Sequence, residues 1–292
     1  FAGLLPEVVP SENLQAANSL VGLGANVGFT LGATMGAAIV STVGPGWAII
    51  GDGASFLIAG ILVLQLQLPT KMQTGEIEEH PSMISQLRQG WTEFYSRKWI
   101  VVVVICFAFI NMCFEGFIGV LAPVQMKEQL GGAKDMGILL FAFGVGNISG
   151  VLISLKIRPK HPLRVAMVWM PFVGLLVLSL AIPLPLPLIA LIAVAAGISF
   201  DLFFVLWMTT FQTQIPQEAL SRVGSYDAFG SMLFAPIGLF VAGPLAQWIG
   251  ARDALLIAGS VVLIASISAL LVRDVRNLES VVDQLELREI IP

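Results

Sequence analysis

Residues 187–227 read PLIALIAVAAGISFDLFFVLWMTTFQTQIPQEALSRVGSYD. The first twenty-five of them, 187–211, are apolar enough to cross a bilayer, which takes about 20 such residues in a helix. One carboxylate, Asp201, stands near their middle. A charge at that depth is costly, so such residues face a bundle interior or a watery cavity. From Gln212 to Asp227 the stretch turns polar and reads as a loop leading into another apolar run.

The whole chain repeats this alternation. It has 292 residues, of which 57% are hydrophobic and 12% charged, a balance that fits a multi-span membrane protein and no soluble domain of this size. Apolar runs predict eight spans, at 18–40, 46–68, 99–123, 136–155, 163–182, 187–211, 228–249 and 253–272. The net charge of −4 and the lack of a basic run argue against nucleic-acid binding. Cys106 and Cys113 lie seven residues apart on one span. That separation is about 10 Å of helix, too far for a disulfide, so both read as packing residues. His80 and His161 fall in polar segments, leaving no imidazole for a metal or haem inside the membrane. No cofactor and no metal are expected.

Basic residues set the expected orientation. Twelve of the fifteen Lys and Arg fall in the 69–98 segment, the 156–164 junction, the 212–227 loop and the tail, against Lys127, Lys134 and Arg252 in the alternate loops. This places the C-terminus in the cytoplasm of a multi-pass plasma-membrane protein. The 69–98 segment opens acidic and turn-rich, then places Leu87, Trp91 and Phe94 at helical spacing, as in an amphipathic helix at the membrane surface.

An internal repeat appears at an offset of 206 residues. Pro10 pairs with Pro216, Glu12 with Glu218, Ser19 with Ser225, Gly32 with Gly238, Gly44 with Gly250 and Gly53 with Gly259. The copies share one orientation, as in transporters built from parallel halves. The second half opens near Trp99, so its partner would open roughly 107 residues before Phe1, with room for four more helices. Phe1 begins mid-pattern, and the expectation is of a chain lacking its N-terminal part.

Five stretches now carry a family resemblance: LLPEVVPSENLQAANSL (4–20), GDGASFLIAG (51–60), GWTEFYSRKWI (90–100), LSRVGSYDAFGS (220–231) and PIGLFVAGPLA (236–246). In this order they resemble the major facilitator superfamily, in particular the bacterial branch of enterobactin exporters, macrolide efflux pumps and transmembrane secretion effectors. The resemblance implies an all-α membrane bundle in which eight of twelve transmembrane helices, family helices five to twelve, are present. Residues 1–68 would end the N-terminal half, 69–98 form the central cytoplasmic loop, 99–272 the C-terminal six-helix half, and 273–292 a cytoplasmic tail. Exporters of the superfamily carry a Gly-Pro pattern in helix five. Here Gly28, Gly32-Ala33 and Gly36-Ala37 keep the small residues without the proline.

The polar residues inside the spans divide by role. By resemblance Asp201 lies on the cavity-lining tenth helix, as a proton-binding or substrate-facing carboxylate. The plainer reading is a carboxylic acid bonded to a neighbouring helix. Asn111 and Glu115 share one face of the cavity-lining seventh helix, four residues apart. Counted from the span centres, Glu115 stands roughly 6 Å outward and Asp201 roughly 3 Å inward, so direct contact between them is not expected. Asn26 and Asn147 read as bonds between helices. Gly28, Gly32 and Gly36 on the first span and Gly146 and Gly150 on the fourth predict close packing of these two helices across the halves, with both amides near the contact. Arg222 and Asp227 read as part of a cytoplasmic latch, or as solvated loop charges.

The function expected is a secondary active transporter working by alternating access. It is expected to export a small hydrophobic or amphipathic molecule, of drug, macrolide or siderophore class, against protons, and to act as a monomer. The alternative is a non-transporting membrane sensor or a membrane-embedded enzyme. No HExxH, GxSxG or nucleotide-binding loop supports the enzyme reading, and no added soluble domain supports the sensor.

Overall fold

A computed structural model describes residues 5–65 and 83–280. The acidic part of the 69–98 segment and the tail beyond 280 lie outside the described residues. A short α1 (Leu5–Val8) and a 3-10 turn lead into α2 (Leu14–Val43), followed by α3 (Pro45–Leu64) and α4 (Met83–Ser96). Then come α5 (Lys98–Gly116), α6 (Ala122–Gln129), α7 (Ala133–Ser154), α8 (Pro162–Trp169), α9 (Pro171–Ser179) and α10 (Leu186–Gln214). The last are α11 (Gln217–Met232), α12 (Ala235–Ile249), α13 (Ala251–Leu271) and α14 (Arg273–Arg276). Seven helical stretches among the described residues are long and apolar enough to span a bilayer, and they coincide with seven of the eight expected spans. The eighth, at 18–40, falls within the 30 residues of α2, which carry no charged side chain.

Prolines punctuate this pattern. Pro171 divides one span into α8 and α9, because its ring has no N–H to give and clashes with the preceding turn. Ahead of Pro123 the helix widens into a π turn over Phe117–Leu121, which accommodates the missing bond. Gly44 and Gly250 join α2 to α3 and α12 to α13 with φ of 94° and 89°. With ψ near 165° and 150° these are conformations that only glycine adopts freely. Pro10 and Pro216, the other ends of the repeat, also match in backbone, with ψ of 148° and 140°. The 206-residue offset is thus a repeat of backbone shape as well as of letters.

Helices α5 to α13 form one bundle around a continuous apolar core. In it α10 packs on α7, α8 and α9, α13 packs on α9 and α5, and α11 and α12 close the circle against α5. Arg97, Lys98 and Arg273 gather at one end of this bundle, where Lys160 also pairs with Glu279 at 3.2 Å. We call this the basic end. There α2 docks on α7 and α10, and α3 packs on α2.

One reading of the sequence changes here. Residues 217–227 are not a loop: after Pro216 the chain is helical, with Glu218 in the first turn where its charge complements the helix dipole. The amphipathic helix α4 rests on α11. Trp91 and Phe94 meet Tyr226 at ring distances of 5.5 and 5.9 Å, and the Tyr226 hydroxyl donates to Leu87 O at 3.0 Å.

Candidate functional site

Helix α10 presents chemistry on two faces. One face borders a cavity of about 450 Å³ between α5, α10 and α11. Its wall is aromatic: Phe107 stacks on Phe203 at 4.0 Å, Phe114 stacks on Phe200 at 5.6 Å, and Trp207 and Met208 continue the face. Few polar groups interrupt it. Asn111 reaches the cavity and donates to Ser231 O at 2.8 Å, Glu115 lines it one helical turn away, and Asp227 enters from α11. The Asp227 carboxylate accepts from Trp207 Nε1 and from Ser231 Oγ, both at 3.2 Å. A mostly apolar pocket with a few fixed polar groups is the usual form of a small-molecule site.

Asp201 is not among the residues that line this cavity. At about 100° per residue, Phe203 lies roughly 160° round the helix from it, while Met208, two turns on, lies close to the same side. The side chain is 6% exposed and points to the seam where α2 meets α7 and α10. Asn26 of α2 donates to Asp201 Oδ1 at 3.0 Å. The orientation of the Asn147 amide that satisfies its surroundings puts its nitrogen 3.3 Å from Asp201 Oδ2 and 3.1 Å from Gly197 O. A buried carboxylate needs such donors to offset its lost hydration. The two asparagines do lie near the contact, but the carboxylate stands between them.

Below Asp201, toward the basic end, the seam is sealed by amides and hydroxyls. Asn18 donates to Gln212 Oε1 at 2.7 Å and to Thr209 Oγ1 at 3.2 Å. The hydroxyls of Ser19 and Ser154 are 2.8 Å apart. Gln15 Nε2 donates to Ser154 O, and to Ile157 O at 2.5 Å. Gln15, Ser19, Gly22 and Asn26 recur at spacings of four, three and four, so one stripe of α2 carries the seam. A pocket of about 190 Å³ opens beside the seal, with Glu12, Arg158, Thr209 and Thr213 in its lining.

The glycine reading is corrected in part. A Cβ at Gly28 or Gly32 would meet nothing within 4 Å, so these residues do not make the seam, and the surroundings of Gly36 are outside the description. Gly146 and Gly150 face α10 instead: a Cβ at Gly146 would strike Val194 O, and one at Gly150 would come 2.6 Å from Ile198 O. Four-residue spacing makes a groove but does not choose its occupant. The structure also does not bring Arg222 and Asp227 together. Five residues apart on α11, they face different ways, Asp227 to Trp207 and Arg222 to Gly90 of α4. Among the described residues the Arg222 Nε has no hydrogen-bond partner.

Sequence reasoning missed Gln15 and Asn18, and it missed the Asp227–Trp207 bond. The first pair was open to discovery, since polar residues at three- and four-residue steps on an otherwise apolar helix mark a face. Asp227 gave no such signal, because it sits among other polar residues.

The geometry of a helical bundle with a seam and an aromatic cavity agrees with comparison to known proteins. The sequence matches the family model described as Major Facilitator Superfamily over residues 1–238. Neither the curated proteins nor the solved structures returned a match. The matched region takes in α2, the seam, the cavity and the start of α12, and the chain belongs to the major facilitator superfamily, a family of membrane transporters.

Proposed function

We propose that the protein is a proton-coupled exporter of a small amphipathic molecule, acting by alternating access in the plasma membrane. It would belong with the enterobactin and macrolide exporters, and it would act as a transporter, not as an enzyme or a sensor. One arrangement carries the reading: a single helix, α10, bears an aromatic cavity on one face and a buried carboxylate held by another helix on a second face. The cavity suits a cargo with an apolar body, and Asn111, Glu115 and Asp227 would fix its polar end. Asp201 would be the group that takes up and gives off the coupling proton. The gathering of Lys and Arg at one end supports placing that end, with the C-terminus, in the cytoplasm.

The test is transport of an amphipathic fluorescent dye, rhodamine 6G, by the full-length protein in proteoliposomes. Dye should move against an imposed proton gradient and stop when a protonophore collapses it. Dye movement indifferent to the protonophore would remove proton coupling. No movement of rhodamine 6G or of an uncharged amphipathic dye, in protein shown to be folded, would remove the cargo reading.

A further inference from the structure

We propose that the proton acts on the seam and not on the cargo cavity: the Asp201 carboxyl group, held by Asn26, is a catch that keeps α2 closed on α7 and α10 at the basic end. The inference rests on the transporter reading above and says where its proton does work.

The geometry separates the two sites. Asp201 is bonded to α2 and flanked by α7, and it is not among the residues that line the cavity. A proton on Asp201 therefore does not compete with cargo for one position. It changes instead a bond that joins α2 to the bundle. Past Asn26, Gly28 and Gly32 of α2 face open space. Among the described ties of α2 to α7 and α10, Asp201 is the one that can change its charge.

Inside the seam the surrounding charges leave this role to Asp201; Glu12 and Arg158 stand at its end, in the pocket beside the seal. Within α2, α9 and α10 no other residue is ionisable as an acid or base. Lys134 and Asp135 of α7 and Arg164 of α8 stand in the first turns of their helices. Of Glu218, Arg222 and Asp227 on α11, Asp227 is turned to Trp207, Arg222 to α4, and Glu218 sits in the first turn. Glu115 of α5 faces the cavity.

The step itself balances simply. A hydronium ion from the aqueous side gives its proton to a carboxylate oxygen, leaving a neutral acid and water. The charge-assisted N–H···O⁻ bond from Asn26 becomes a neutral one, roughly half as strong. That loss is smaller than the relief of taking a charge out of a buried site whose only donors are neutral amides, so the closed arrangement is favoured with Asp201 protonated and loosened with Asp201 charged.

The experiment measures distance across the basic end in the full-length protein. Nitroxide labels go at Val8 and Lys156, both exposed, with Cys106 and Cys113 replaced by alanine. Pulsed dipolar spectra are recorded from mildly alkaline to mildly acidic buffer, without cargo. The wild-type protein should gain the short-distance population on acidification, its ratio to the long-distance population rising about fivefold. Asp201→Asn should show one distribution at every pH. Asn26→Ala should lower the short-distance population in alkaline buffer, and Asn26→Gln, which keeps the donor, should restore it in part. A wild-type distribution that ignores pH would overturn the proposal without any variant having to fold. So would an Asp201→Asn protein that still responds to pH. Because no cargo is used, a failed dye assay with a pH-dependent distance would sink the export reading and leave the catch standing.

Discussion

Two carboxylates on neighbouring helices differ in what they hold. Asp201 ties α10 to α2, and its replacement by Asn removes the titrating proton while keeping the side chain's size. If the exporter proposal holds, Asp201→Asn should abolish gradient-driven dye transport and leave equilibrium dye binding within about twofold, since Asp201 does not line the proposed cargo cavity. Loss of both together would put Asp201 back in the cargo site. Asp227 ties α11 to α10 through Trp207 Nε1. Asp227→Ala strands a buried indole N–H and should cost about 1–3 kcal/mol in thermal unfolding, whereas Asp227→Asn keeps an acceptor and should cost less. Equal losses would mean that the bond contributes nothing. The weight of Asp201 was legible in the sequence because one charge in an apolar run has few uses. Its direction was not, because a helix has a face toward each neighbour and one sequence does not say which neighbour stands where. Asp227 was harder: its polar company reads as a loop, and only the packing of α11 on α5 and α4 shows that it is inside.

At the scale of elements, the run lengths gave seven spans that the structure repeats, since span length is fixed by hydrocarbon thickness and needs no tertiary knowledge. Glycine spacing was a weaker guide. Gly28 and Gly238 both look like packing glycines on paper. In the structure a Cβ at Gly238 would overlap Met112 O on α5, while one at Gly28 meets nothing within 4 Å. Gly238→Ala should force α12 from α5 and cost about 1–3 kcal/mol. Gly28→Ala should cost nothing and gain up to about 1 kcal/mol from helix propensity. Thermal unfolding of the purified protein compares them, and a stable Gly238→Ala would show that α12 can shift freely. The polar stretch 217–227 misled for a related reason. Its charges match a loop in composition, but Pro216 opens a helix and Tyr226 gives α4 a place to dock, so tertiary contacts decide its state.

For the whole molecule the question is which end opens, and the seam answers for the state described. At the basic end, Gln15, Asn18 and Ser19 bond α2 to α7, to the segment that follows it and to α10, while farther along α2 the glycines stand clear. If the basic end is cytoplasmic, this arrangement is closed toward the cytoplasm. Cysteines at Leu130 and Pro185 should then label from outside intact cells, and cysteines at Gly75 and Lys160 should not; the reverse pattern would invert the orientation. Alternating access requires that the same seam also come apart, and that can be prevented on purpose. The Ser19 and Ser154 hydroxyl oxygens are 2.8 Å apart, so cysteines at these two positions have their Cβ atoms within disulfide reach. The pair Ser19→Cys and Ser154→Cys, in a protein without Cys106 and Cys113, should oxidise readily and lock α2 against α7. Oxidised protein should lose dye transport altogether, and a reductant should restore most of it, because each serine alone contributes only a weak bond of about 0.6–2 kcal/mol. The single-cysteine proteins, which cannot close the bridge within one chain, should transport under both conditions. Undiminished transport by the oxidised double-cysteine protein would mean that α2 and α7 never part at this level, and that the cycle runs through some other surface.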